Sequence, residues 1–138
     1  MPYRRLAALG ALVVTANLLI GAAHMLAHLQ LGVRLAPWQD IFVSLVVVTS
    51  PIAAAVLVRT PLRRIGASLL AGSMAGALVF STYFHYILVS PDHVAHLPEG
   101  DLRWLFRLTA GLLLVAQGLG VAIGMLMMKA IREGTWRT

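Results

Sequence analysis

The sequence predicts an all-α integral membrane protein, four transmembrane helices in an antiparallel up-down-up-down bundle. Two observations carry this reading. The 138 residues are 59% hydrophobic and only 12% charged, whereas soluble domains carry about a quarter charged residues. The apolar residues also fall into four runs, each long enough to cross the hydrocarbon core of a bilayer. The chain reads as one domain, because little sequence is left outside those runs.

The first run covers residues 6–29. The preceding Met-Pro-Tyr-Arg-Arg and the small residues Gly21, Ala22 and Ala23 resemble parts of a signal peptide. The run is nevertheless long enough to span, and we expect it to be kept as the first helix. The second run, residues 38–58, holds Ser50-Pro51 near its middle, where proline removes a backbone donor and predicts a kink. The third and fourth runs cover residues 65–89 and 102–128. Short connections at 30–37 and 59–64 predict that consecutive helices reverse direction, and only the connection at 90–101 is longer.

Charge asymmetry gives an orientation. Arg4, Arg5, Arg59, Arg63, Arg64, Lys129, Arg132 and Arg137 fall on one side, against Arg34, Arg103 and Arg107 on the other. The rule that basic residues stay inside predicts both termini cytoplasmic, in a cell inner membrane. Trp38, Trp104, Tyr83 and Tyr86 would form the outer aromatic belt, and Tyr3 and Trp136 the inner one. The formal charge of +6 is thus explained by membrane topology, so nucleic acid is not an expected partner. The expected partners are the lipid bilayer and either further copies of the chain or a larger membrane complex. Gly72 and Gly76, with Gly111, Gly118, Gly120 and Gly124, are the small residues expected to let helices approach closely.

All five histidines map to the outer end. His24 and His28 are four apart and share one face of the first helix, along with Asn17 and Gly21. His85 lies about one turn inside the outer end of the third run, at a depth matching that of His24. The loop after it adds Asp92, His93 and His96. Histidine is the commonest metal ligand and is costly in lipid, so such a cluster needs a cause. The chain has no cysteine, which leaves imidazole, carboxylate and thioether as ligands.

Three functional readings follow. The first is a transition-metal site, for Cu, Zn, Ni or Fe, built from His24, His28 and His85 and completed by Asp92, His93 or His96. The second is a small b-type cytochrome, with haem b between helices one and three and its propionates met by Arg103 or Arg107. The third is a non-catalytic accessory subunit. Structural alternatives stand beside them: a neutral histidine bonded to a hydroxyl or amide on a neighbouring helix, solvated loop histidines, and an ion pair between Asp40 and Arg107. Gln117 reads as a hydrogen-bonding link between helices, and Met125, Met127 and Met128 as apolar filler. No hydrolase triad, phosphate loop or dinucleotide fingerprint is present. A metal with an open position could activate water or oxygen, but no residue pattern indicates a substrate.

Overall fold

The computed structural model describes residues 3–134. Trp136 and Arg137, both assigned above to the inner side, lie outside the described residues. Four helices account for most of the chain: α1 (Tyr3–Leu31), α2 (Pro37–Leu57), α3 (Arg63–Ile87) and α4 (Arg103–Arg132). Each is long and apolar enough to cross a membrane, and no strand occurs among the described residues. Their bounds lie within a few residues of the four apolar runs.

Local chemistry explains the ends. Gly32 adopts φ 66° just after α1. This left-handed residue lets Gly32 N–H reach Leu29 O at 3.3 Å and Val33 N–H reach His28 O at 3.0 Å, the paired bonds of a Schellman cap. Helix α2 opens with Pro37, where the missing N–H costs nothing. The Gln39 side chain returns to accept from Ala36 N–H at 2.6 Å.

Two of the helices contain a π-helical stretch, Val43–Thr49 in α2 and Tyr83–Ile87 in α3. The first lies just before Pro51. In an α-helix position 51 would donate to Val47 O, and proline cannot. Asn17 Nδ2 on α1 reaches that carbonyl at 3.5 Å. The wider turn thus accompanies the disruption expected at Ser50-Pro51, and an amide from another helix reaches the carbonyl that proline cannot bond.

Apolar packing holds the helices at two levels. Near the chain ends, Tyr3, Leu6, Val14, Val58, Leu70, Met74 and Met127 form one buried cluster. Around the other ends of the helices, Ala27, Leu31, Val33, Phe106 and Ala110 form a second, into which the 88–102 segment inserts Leu97. The remaining large apolar side chains, such as Leu12, Leu19, Val79, Val115 and Leu126, point outward. That distribution suits an apolar solvent around the helices.

The glycines divide in a way the sequence pattern did not separate. A Cβ on Gly124 would lie 2.7 Å from Ala71 N, and one on Gly120 would lie 2.6 Å from the Met74 side chain. Gly76 faces Val46 more loosely, at 3.2 Å. Gly72 and Gly118 face open space, and Gly111 has only a distant hydroxyl neighbour. The close approach of α3 and α4 is therefore carried by Gly120 and Gly124. An unexpected one occurs at Gly66, where a Cβ would lie 2.6 Å from Val58 N at the α2–α3 turn.

Gln117 also differs from expectation. It is completely buried, and neither amide atom has a hydrogen-bond partner among the described residues. The Tyr3 hydroxyl donates to Val58 O at 2.8 Å from a buried position. Trp38, Trp104, Tyr83 and Tyr86 are exposed.

Candidate metal centre

His24, His28 and His85 come together as a buried group, with one ligand atom from each lying within 4.8 Å of the others. Their spacing along the chain explains two of them: one helical turn separates His24 from His28, so both rings leave the same face of α1. His85 arrives from the π-helical end of α3. Such local insertions commonly sit at functional sites.

The outer hydrogen bonds fix how each ring presents itself. Thr109 Oγ1 donates to the backbone carbonyl of Leu105 at 2.6 Å, with Phe106 O at 3.1 Å. Its one hydrogen is thus directed at its own helix, and toward His24 Nδ1, 2.8 Å away, it accepts. His28 Nδ1 lies 3.2 Å from Val33 O, and His85 Nδ1 lies 3.2 Å from Asp92 O. A carbonyl can only accept. In the neutral rings all three Nδ1 atoms are therefore assigned the hydrogen, which leaves the lone pair of each on Nε2.

The Nε2 atoms of His24 and His28 lie 3.2 Å apart. With lone pairs on both, the contact needs a positive charge between them, which either a proton on one Nε2 or a metal ion supplies. Asp92 sharpens the demand. Its Oδ1 lies 3.2 Å from His28 Nε2 and 3.3 Å from His85 Nδ1. Neither approach has hydrogen-bond alignment, and both carboxylate oxygens are buried without a hydrogen-bond partner among the described residues. A buried carboxylate normally pairs with a charge or binds a metal, because its desolvation is otherwise costly.

Two of the distances suit a tetrahedral metal, while the three-histidine group as a whole spreads to 4.8 Å. Ligands at 2.0–2.1 Å from a tetrahedral ion lie about 3.3 Å from one another. Both the His24–His28 and the His28–Asp92 separations, each 3.2 Å, match that edge. The donor set of imidazole and carboxylate fits borderline divalent ions such as zinc, copper, nickel or iron.

Asp92 reaches this position because its loop is pinned. Val94 N–H donates to the carbonyl of His85 itself at 3.0 Å, and Asp92 N–H donates to Ser90 Oγ at 3.3 Å. Leu97, 5% exposed, anchors the far part of the loop in the apolar cluster beside Phe106.

Phe106 packs against all three imidazoles, its ring centroid 4.4, 4.9 and 5.4 Å from those of His24, His28 and His85. Neither Phe106 nor Thr109 was singled out from the sequence. A phenylalanine and a threonine within an apolar helix carry no signal of their own; the one available hint was that a deep histidine needs an oxygen on a neighbouring helix.

The other candidates sit elsewhere. Half-buried His93 and exposed His96 form a pair with Nδ1 atoms 3.1 Å apart, and His93 Nε2 faces Tyr86 O at 3.2 Å. They do not join the buried group. Arg103 pairs with Glu99 at 2.8 Å, and Arg107 Nε donates to Val94 O at 2.9 Å. The Asp40–Arg107 ion pair is absent among the described residues, because the folded loop supplies Arg107 with a carbonyl instead.

An all-helical chain with four membrane-length helices and a buried three-histidine group able to hold a metal ion is thus the class that fold and site define. Compared with protein-family models, curated protein sequences and solved structures, the chain finds no match.

Proposed function

We propose that the protein is an integral membrane protein that binds one transition-metal ion through Nε2 of His24, His28 and His85, with Asp92 as the fourth ligand. The observation that carries this reading is the direction of the rings. Each Nδ1 faces an oxygen acceptor, so the three Nε2 lone pairs and a carboxylate that accepts no hydrogen bond remain for a cation. Four protein ligands make a closed site, which suits retention, structural binding or electron transfer rather than hydrolysis at an open position.

The up-down-up-down arrangement is supported by pairs such as His24 with Thr109 and Tyr3 with Val58, which match the ends of helices expected to run oppositely. The exposed apolar side chains support membrane insertion, and the arginines at the chain-end side support an outward-facing site with cytoplasmic termini. Phe106 already fills the space beside the imidazoles, which favours a compact ion over a haem macrocycle. Assembly with further copies or into a larger complex is compatible with the same site.

Cobalt(II) is the direct probe, because its visible spectrum reports tetrahedral coordination. Titration of metal-stripped protein in mild detergent is expected to saturate at one cobalt per chain with tetrahedral bands. Spectra indistinguishable from aqueous cobalt at all ratios would refute the reading.

Two substitutions separate the roles of the surrounding groups. Thr109→Val keeps the shape but removes the acceptor for His24 Nδ1–H, and is expected to weaken metal binding about 10–100-fold in chelator competition. Asp92→Asn removes the anionic ligand and is expected to weaken binding while shifting the cobalt bands. An unshifted spectrum in Asp92→Asn would place the carboxylate outside the coordination shell.

A further inference from the structure

The end of the molecule opposite the histidines carries a second concentration of chemistry. Arg4, Arg5, Arg59, Arg63, Arg64, Lys129 and Arg132 gather there, and Glu133 is the one acidic residue nearby in the described chain. It lies 3.9 Å from Lys129. The charge is not spread evenly over this end. A cavity of about 940 Å³ is lined by Arg4, Arg59 and Arg63 together with Tyr3, Val58 and Thr60, with no carboxylate among the described residues that line it.

The N-terminus of α3 opens beside it at Arg63. Its first turn holds no acidic residue, and no side chain caps it. The positive end of that helix dipole therefore adds to the guanidinium charge. The carbonyl of Val58, which would oppose an anion, is occupied by the Tyr3 hydroxyl at 2.8 Å. Exposed Val56, Leu62 and Ile65 flank the same end. A phosphate group on a lipid would thus find donors in the cavity and an apolar surface for its acyl chains beside it.

We propose that this arginine-lined cavity binds a phosphate-bearing anion, either the headgroup of an anionic phospholipid or free phosphate. Guanidinium groups match phosphate oxygens in a fork geometry that diffuse charge does not supply. The site is separate from the metal centre and stands or falls without it.

Native mass spectrometry of the full chain in mild detergent tests this with three probes: phosphatidylglycerol, phosphatidylcholine and inorganic phosphate. Retention of phosphatidylglycerol over phosphatidylcholine identifies a lipid headgroup; phosphate binding without a lipid preference identifies the free ion. In either case Arg59→Gln and Arg63→Gln are each expected to weaken binding about fivefold. Arg5→Gln removes the same charge from the same end without touching the cavity, and is expected to leave binding within twofold of the parent. Circular dichroism and retained metal content confirm that each variant is folded. Binding of neither anion, or an Arg5→Gln loss equal to that of Arg59→Gln, overturns the proposal, the latter because it reduces the effect to general electrostatic attraction.

Discussion

Replacing His24 with alanine is expected to abolish stable metal binding, and His85→Ala is expected to do the same. Each change removes one of the proposed Nε2 ligands, so the loss should exceed the 10–100-fold typical of changes to groups that only orient a ligand. His24 is the more telling of the two. It lies between the other rings, its centroid 4.8 Å from each, whereas those of His28 and His85 are 6.2 Å apart. Removing it also leaves Thr109 without its side-chain partner, while the helix keeps its own backbone bonds.

His96→Ala supplies the comparison. That residue is exposed, touches His93 and lies outside the buried group, so its loss is expected to leave affinity within about twofold, as for surface changes generally. Metal dissociation constants from chelator competition in detergent check all three variants. Equal losses in His24→Ala and His96→Ala would move the site to the His93–His96 pair.

Among the glycines between α3 and α4, Gly124→Ala is expected to cause the largest loss of stability. The added methyl would meet Ala71 N at 2.7 Å, Ala71 Cβ at 2.9 Å and Ala71 Cα at 3.0 Å. Backbone atoms cannot rotate away, so α3 and α4 must separate. Overpacking of this kind costs about 1–3 kcal/mol and occasionally more. Gly120→Ala meets only the Met74 side chain, which has three rotatable bonds, and is expected to cost less. Gly72→Ala meets nothing within 4 Å and is expected to be neutral. Unfolding midpoints in a fixed detergent, followed by circular dichroism, rank the three. Equal sensitivity at Gly72 and Gly124 would contradict the packing described here.

That contrast shows where sequence reasoning reached its limit. The four membrane-length helices are legible because apolar runs of that length have few alternatives once the flanking arginines and prolines are read. The pairing of His24 with His28 is legible from helical periodicity, and the proximity of His85 from its matched depth. Which glycines make contact is not legible, because Gly72 and Gly124 look alike until the rotation of each helix about its axis is known. The role of Thr109 was hidden for the same reason.

The outer loop shows a second kind of limit. Its sequence offered Asp92, His93 and His96 as equivalent candidates, since spacing alone does not say which way a loop folds. The bond from Val94 N–H to His85 O and the burial of Leu97 turn Asp92 inward and leave both histidines outside. The cap after α1 connects local chemistry to the site most directly. Gly32 permits the left-handed turn, the turn places Val33 O beside His28 Nδ1, and that contact assigns the His28 lone pair to Nε2.

Elemental analysis of the protein, expressed without an added histidine tag and purified in mild detergent without chelators, tests the central claim most directly. Metal content is normalised by amino-acid analysis. One transition-metal ion per chain, lost in His24→Ala and retained in His96→Ala, is the predicted result. Parent protein that holds no transition metal, and takes up none when reconstituted with zinc, copper, nickel or iron, would contradict it.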